Sequence, residues 1–316
     1  MPEHSPTTLA VVGAGAVGAT IAYAALMRGA ARRVVLHDIN AAKVRAEVLD
    51  IAHGIQFMPM GEIDGSDDVE VCRGADLVVV TAGAKQQPGQ SRIELAGKTI
   101  GLMRSIMPRL VEVAPDATYV MVTNPVDVVT YAALQLSGLP PTRLFGSGTV
   151  LDSSRLRWLV AQEIGVSVHN VHAYIAGEHG DTEIPLWSSA SVGGVPLLEW
   201  ETRTGRLGAE ARDRIANEVV HAAYQIIEGK GATNYAVALA VSRIIESIVR
   251  DERRVMPVST LLDDWQGIGD VCLSVPTVVS REGPGERLEV PLSDAERAAL
   301  QASADKIRSV AREFGF

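Results

Sequence analysis

Short apolar runs alternate with helix-length stretches along the first half of the chain. The runs are Leu9 to Val12, Val34 to His37, Asp76 to Ala82, Tyr119 to Thr123 and Arg143 to Gly146. Several are apolar throughout, as strands covered on both faces must be, whereas a half-exposed strand would alternate. Strands of this kind separated by helical segments predict a parallel sheet with crossover helices. Beyond about Gly148 the pattern shifts to long helices and turn-rich stretches. One helix is expected from Gly208 to Gly229, with Ile215, Val219, Ala222 and Ile226 on one stripe and Gly229-Lys230-Gly231 as its stop. Another starts at Ser293, where Ser293 and Glu296 form a capping box ahead of Leu300, Ala304, Ile307, Ala311 and Phe314. The expected architecture is α/β, a doubly wound parallel sheet over residues 1–148 followed by an α+β domain over 149–316. No flexible linker, repeat or low-complexity run separates them.

Leu9 to Met27 is a stretch of 19 uncharged residues, nominally long enough to span a bilayer. Gly13, Gly15 and Gly18 break it, and Met1 to Thr8 carries Glu3 but no Lys or Arg, unlike the basic start of a secretory signal. It reads as a buried strand, a glycine turn and a buried helix, so no membrane partner is expected. With 316 residues, 47% hydrophobic and 21% charged, the chain is long enough for two packed lobes and unlike a disordered or fibrous protein. A net charge of -9 opposes binding to a phosphate backbone, which argues against a nucleic-acid partner. Cys72 and Cys272 are the only cysteines, too far apart in sequence for a clustered zinc set and too few for a disulfide framework. A reducing, cytoplasmic location fits, and no metal site is expected.

Gly13-Ala14-Gly15-Ala16-Val17-Gly18 is a G-x-G-x-x-G string between the first strand and the first helix. Such strings occur in many loops, but Asp38 ends the next strand 20 residues beyond Gly18. The glycines let the backbone approach a pyrophosphate at the positive end of the helix, and Asp38 accepts hydrogen bonds from adenosine ribose hydroxyls. The first half is therefore read as a Rossmann-type dinucleotide-binding domain. A 2'-phosphate would face the Asp38 carboxylate with no arginine at Ile39 or Asn40 to compensate, so NAD is favoured over NADP. The competing role for Asp38 is to cap the helix that begins near Asn40.

Thr81-Ala82-Gly83, Gln86-Gln87-Pro88-Gly89-Gln90-Ser91-Arg92, Thr123-Asn124-Pro125-Val126-Asp127, Leu151-Asp152-Ser153-Ser154-Arg155 and Gly177-Glu178-His179-Gly180-Asp181 follow in that order. Behind the glycine fingerprint, and over nearly the whole chain, they resemble the lactate and malate dehydrogenase family, its bacterial lactate-specific branch most closely. Oxidising a 2-hydroxy acid removes a hydroxyl proton together with a hydride from the same carbon, so it needs a base titrating near neutrality, which histidine supplies. The resemblance makes His179 that acid/base and Asp152 the carboxylate that orients the imidazole and stabilises its charged form. Asp152 could also cap a helix. Arg155 is implied as the planar fork gripping the substrate carboxylate. Arg92 is implied as the group polarising the reacting carbonyl, at the end of a segment, 83–92, that resembles the family's mobile lid. Asn124 is implied as a hydrogen-bond donor to the substrate oxygen, with a structural turn as the competitor. The implied NAD contacts are Gly13, Gly15, Val17, Gly18, Asp38, Lys43, Gly83, Ala84, Ser105, Val122, Asn124 and Ser147.

The residue matching the family's specificity position is Gln86, where malate-specific relatives carry arginine. A second substrate carboxylate buried against neutral Gln86 and Thr233 would lack a counter-charge, so pyruvate and L-lactate are expected over oxaloacetate and malate. Arg157 and His172 match positions where allosteric bacterial members bind fructose 1,6-bisphosphate at a subunit interface. A two-fold axis would double them around one bisphosphate. The alternative is an exposed helix charge at Arg157 and an ordinary strand residue at His172. A homotetramer is likewise implied by the resemblance. A malate dehydrogenase is the competing enzyme, and a catalytically idle NAD-binding oligomer is the competitor from another class.

Overall fold

The computed structural model describes residues 7–84 and 92–316. Six parallel strands form its centre: β1 (Thr8–Val12), β2 (Arg33–His37), β3 (Glu62–Ser66), β4 (Leu77–Val80), β5 (Thr118–Met121) and β6 (Leu144–Gly146). They lie in the order β3-β2-β1-β4-β5-β6. Four helices cross between or follow them: α1 (Ala16–Met27), α2 (Ala41–Gly54), α3 (Arg92–Val113) and α4 (Val126–Ser137). Five strands coincide with the apolar runs of the sequence. The sixth, β3, does not, because Glu62-Ile63-Asp64-Gly65-Ser66 holds a single bulky apolar residue. It pairs only with β2 at the sheet edge, where a strand needs no second apolar face.

The continuous apolar character of β1 has a direct cause. Leu9 and Val11 join one core with α1 residues such as Ile21 and Leu26, while Ala10 and Val12 join the opposite core with α3 residues such as Met103 and Met107. Every position is covered, and burial of each large aliphatic side chain is worth about 1.5–3 kcal/mol.

The second half adds α5 (Val150–Ile164), α6 (Leu197–Thr204), α7 (Ala209–Lys230), α8 (Tyr235–Val249) and α9 (Asp294–Glu313). Its long strands, Arg254–Leu262, Val271–Ser280 and Gly283–Arg287, build no separate large sheet. They run antiparallel beyond β6, joined to it by Ser259 opposite Gly146, and complete one sheet of nine strands. The capping box is present: Ser293 Oγ accepts from Glu296 N at 3.2 Å, and Glu296 Oε2 accepts from Ser293 N at 2.7 Å. On α9, Leu300, Ala304, Ile307 and Ala311 are buried; on α7, only Ile215 and Val219 of the expected stripe are, with Ala222 and Ile226 half-buried. Helix α7 runs one residue past the expected end and stops at Gly231, whose φ of 83° favours glycine.

Strand order reverses between β1 and β4. At such a switch point the loops leaving the two strands diverge, opening a crevice at the carboxyl edge of the sheet. The glycine string leaves β1 there and Thr81-Ala82-Gly83 leaves β4.

Candidate active site

The two loops are fitted to each other closely. Gly13 has φ 107°, and a Cβ on it would lie 2.7 Å from Thr81 Oγ1 and from the Ala82 nitrogen. A Cβ at Gly18 would fall 1.8 Å from the Gly13 carbonyl oxygen. Thr81 Oγ1 donates to that oxygen at 2.9 Å and fastens the turn. Gly15 differs: it precedes α1, and a Cβ there would meet nothing within 4 Å. The fold itself therefore requires glycine at 13 and 18 but not at 15. Close approach of a ligand backbone-side to the helix N-terminus is what a glycine at 15 permits.

Asp38 leaves β2 beside this turn. Its Oδ2 accepts from Ala14 N at 2.8 Å and its Oδ1 from Asn40 N at 3.1 Å. A carboxylate has about four lone-pair positions, so acceptor capacity remains for ribose hydroxyls. The competing capping role falls to Asn40, whose side chain accepts from Lys43 N at 3.1 Å at the start of α2. The residues thus fit a dinucleotide: a helix N-terminus free of acidic side chains in its first turn, a glycine approach and a carboxylate one strand away.

An open cleft containing about 970 Å³ of empty space lies alongside, and Val17, Val122, Asn124, Ser147, Arg155, His179 and Thr233 all line it. These expected site residues come from segments spread over more than two hundred positions. Val122 and Asn124 follow β5 and Ser147 follows β6 at the same sheet edge, while Thr233 stands between α7 and α8. Asn234 Nδ2 donates to Thr20 Oγ1 at 2.9 Å, tying the Thr233 turn to α1. Gly83 and Ala84 lie at the β4 end, where a Cβ on Gly83 would come 2.2 Å from Thr123 Cγ2. Lys43 and Ser105 do not line the cleft; Ser105 is exposed on α3 with its hydroxyl turned back to the Leu102 carbonyl at 2.8 Å. Gln86, most of the expected lid segment 83–92 and the Arg92 side chain lie outside the described residues.

On the far wall, His179 Nδ1 lies 2.5 Å from Asp152 Oδ2. Asp152 projects from the first turn of α5 and is 1% exposed. Its other oxygen accepts from an Arg155 guanidinium nitrogen at 2.6 Å, one turn along the same helix. Burial alone would push Asp152 up, but the neighbouring His179 and Arg155 outweigh it and hold the carboxyl below its ordinary value. Burial likewise pulls the imidazole down, and the Asp152 carboxylate, aided by Glu183 and Asp127, overcomes that and raises it to about 9. At neutral pH the pair is therefore imidazolium and carboxylate. With Nδ1 turned to Asp152, the remaining ring nitrogen is the proton-carrying atom available for chemistry.

Two further acidic groups, outside the residues that the resemblance assigns, stand close to this pair. Glu183 is 9% exposed, with a carboxylate oxygen, an Asp152 oxygen and a His179 nitrogen mutually within 4.8 Å. Burial and the Asp152 charge push it up to about 9, against the pull of His179 and Arg155. Asp127, 1% exposed, accepts from the His179 backbone N–H at 2.7 Å and from the Ser259 hydroxyl at 2.6 Å. Burial pushes it up to about 6, although the Ser259 and His179 donors draw it down. Asp127 had a signal, a lone charge in the otherwise apolar start of α4; Glu183 in its polar turn had none.

Arg157 is half-buried on α5, so it is not the exposed helix charge of the alternative reading. Its Nε donates to the Ala173 carbonyl at 2.8 Å, and its guanidinium carbon stands 5.0 Å from the centre of the Tyr174 ring. His172, next to Ala173 in the chain, is exposed.

Comparison with known proteins places these features in a family. Residues 7–146 match the model of the lactate/malate dehydrogenase NAD binding domain, and residues 149–314 that of the lactate/malate dehydrogenase alpha/beta C-terminal domain. The chain is 59% identical over 313 residues to an L-lactate dehydrogenase of Bifidobacterium animalis subsp. lactis, covering 98% of each. It is 44% identical to an L-lactate dehydrogenase of Thermoanaerobacter sp., covering 96% of this chain and 98% of the relative. Among solved structures, a lactate dehydrogenase enzyme from a Medee basin deep-sea metagenome library superposes with a TM-score of 0.95 at 34% identity, covering 99% of this chain and 100% of the other. The minor L-lactate dehydrogenase of Enterococcus mundtii, in a ligand-bound form, gives a TM-score of 0.94 at 35% identity over 98% of both chains.

Proposed function

The chain belongs to the lactate/malate dehydrogenase family and is an NAD-dependent oxidoreductase, and from that premise we propose that it interconverts pyruvate and L-lactate with His179 as acid/base. The observation that carries the reading is the 2.5 Å contact between the buried Asp152 and His179 in the wall of the cleft. The glycine turn and Asp38 would hold NADH, which would supply the hydride for the substrate carbonyl carbon. His179 gives its proton to the carbonyl oxygen, and Asp152 stays ionised to hold Nδ1–H and offset the imidazolium charge. Arg155 spends one guanidinium nitrogen on Asp152 and keeps the rest of its planar fork for the substrate carboxylate. Asn124 steadies the substrate oxygen from the β5 side, and Arg92 is assigned to polarise that oxygen.

Residues 1–148 are assigned to NAD and 149–316 to substrate. Neutral Thr233 in the cleft, together with Gln86, supports a methyl group rather than a second carboxylate at the substrate's variable end. Arg157, bound to the carbonyl of Ala173 next to His172 in the chain, is assigned with His172 to activation by fructose 1,6-bisphosphate across a two-fold interface of a homotetramer. Among the described residues no helix is long and apolar enough to cross a membrane; a cytoplasmic location is part of the proposal.

The test is NADH oxidation with pyruvate and with oxaloacetate. The reading expects a higher kcat/KM for pyruvate, and Gln86→Arg should move it towards oxaloacetate. Preference for oxaloacetate would make the chain a malate dehydrogenase, and no turnover with either would leave an idle NAD-binding protein.

A further inference from the structure

We propose that Asp127 is a positioning residue for His179, a buried carboxylate that holds the histidine's main chain and sets a carboxylate beside that residue. The inference rests on the acid/base role proposed for His179. Asp127 stands in the first turn of α4, three positions after the cleft residue Asn124. Its two oxygens bind donors from two distant segments: His179 N at 2.7 Å, 52 positions away, and Ser259 Oγ at 2.6 Å, 132 positions away. One side chain thus locks together α4, the His179 turn and the strand that joins the two halves of the sheet.

The ring and the main chain of His179 are held by different helices, Asp152 from α5 and Asp127 from α4. The turn has a third anchor in α9, where Ser303 Oγ accepts from Glu178 N at 2.8 Å and Lys306 Nζ lies 2.9 Å from Glu178 Oε2. A turn lacks the repeating hydrogen bonds of a helix, so outside anchors must fix the ring to the tolerance that proton transfer requires. The titratable and charged groups around this centre are Asp127 from α4, Asp152 and Arg155 from α5, Glu178 and Glu183 from the turn itself, and Lys306 from α9 through Glu178. Asp127 is the one among these that touches the His179 main chain.

The geometry distinguishes shape from charge. Asparagine at 127 could still accept from His179 N with its carbonyl oxygen and donate to Ser259 Oγ with its amide, which is also how a protonated Asp127 would behave. Alanine could do neither.

The experiment compares Asp127→Ala, Asp127→Asn and His179→Asn in the full-length protein, measuring NADH binding, kcat and KM for pyruvate, and the pH dependence of kcat/KM. For Asp127→Ala the expected result is a kcat lower by about tenfold or more with NADH affinity within about twofold of the original. Asp127→Asn should recover most of kcat, yet its kcat/KM for pyruvate should begin to fall at lower pH, since a charge favouring the imidazolium is gone. An unchanged kcat in Asp127→Ala, or an Asn variant as deficient as the Ala variant, overturns the proposal. Should Asp127→Ala not bind NADH, Asp127→Asn decides alone: an unshifted pH profile overturns it. Turnover surviving in His179→Asn would instead defeat the acid/base reading beneath it.

Discussion

A single buried carboxylate sets the character of His179, the proposed acid/base. Asp152 is flanked by two cations, and removing its charge while keeping its shape should leave the cofactor cleft intact. Asp152→Asn is therefore expected to bind NADH normally and to lower kcat by more than about a hundredfold, because the imidazolium loses its counter-charge and its fixed tautomer. Stopped-flow turnover beside NADH titration checks this, and undiminished turnover would remove Asp152 from the mechanism. His179, Asp152 and Arg155 were legible in the sequence because they sit in short motifs that the family resemblance identifies. Asp127 and Glu183 were not given roles, because their significance lies in which distant atoms they meet. No local pattern connects position 127 with 179 and 259, or position 183 with 152.

At the scale of elements, the glycine turn allows the demands of folding and binding to be separated. Gly18→Ala would force a Cβ to within 1.8 Å of the Gly13 carbonyl oxygen, so it should lower the melting temperature as well as NADH affinity. Gly15→Ala, with open space around it, should keep the melting temperature and lose NADH affinity alone. Calorimetry and NADH titration of both variants test this; equal thermal losses in the two would show that Gly15 is a folding requirement instead. The buried strands β1, β2, β4, β5 and β6 were readable because two covered faces demand an unbroken apolar run. The edge strand β3 was hidden by the same logic, since an edge relaxes that demand. A second element-level feature is the seam between α1 and α8, where Arg28 forks onto Glu246 at 2.8 and 2.9 Å and Arg243 also reaches the same carboxylate. Glu246 is 1% exposed and the arginines are about a third exposed. Glu246→Gln should cost about 1–3 kcal/mol in urea unfolding, less than a fully buried pair because water screens the arginines. A change within about 0.5 kcal/mol would show the seam to be held by apolar packing alone.

For the whole molecule, the continuous sheet matters most. The sequence suggests two successive domains, and the pairing of Ser259 with Gly146 extends the sheet from one into the other, so the cofactor edge and the His179 wall share one framework. That continuity was not legible, because it depends on a contact between residues more than a hundred positions apart. The same scale holds the regulatory prediction. Arg157 and His172 are proposed to meet one ligand across a two-fold axis, so fructose 1,6-bisphosphate should lower the pyruvate concentration at half-saturation, and Arg157→Gln should abolish the response while leaving activity at saturating pyruvate in place. Superimposable saturation curves with and without the bisphosphate would end that proposal. A net charge of -9 makes such local cations necessary, since NAD and the proposed substrate and effector are all anions.

The most direct test of the central claim is the pH dependence of kcat/KM for pyruvate at saturating NADH. In the proposed mechanism pyruvate reduction consumes the proton of the His179 imidazolium, whose pKa the Asp152 carboxylate raises to about 9. A level rate is expected at neutral pH, falling about tenfold per pH unit above about 9. A rate that stays flat through that range, or rises, would contradict His179 as the proton donor.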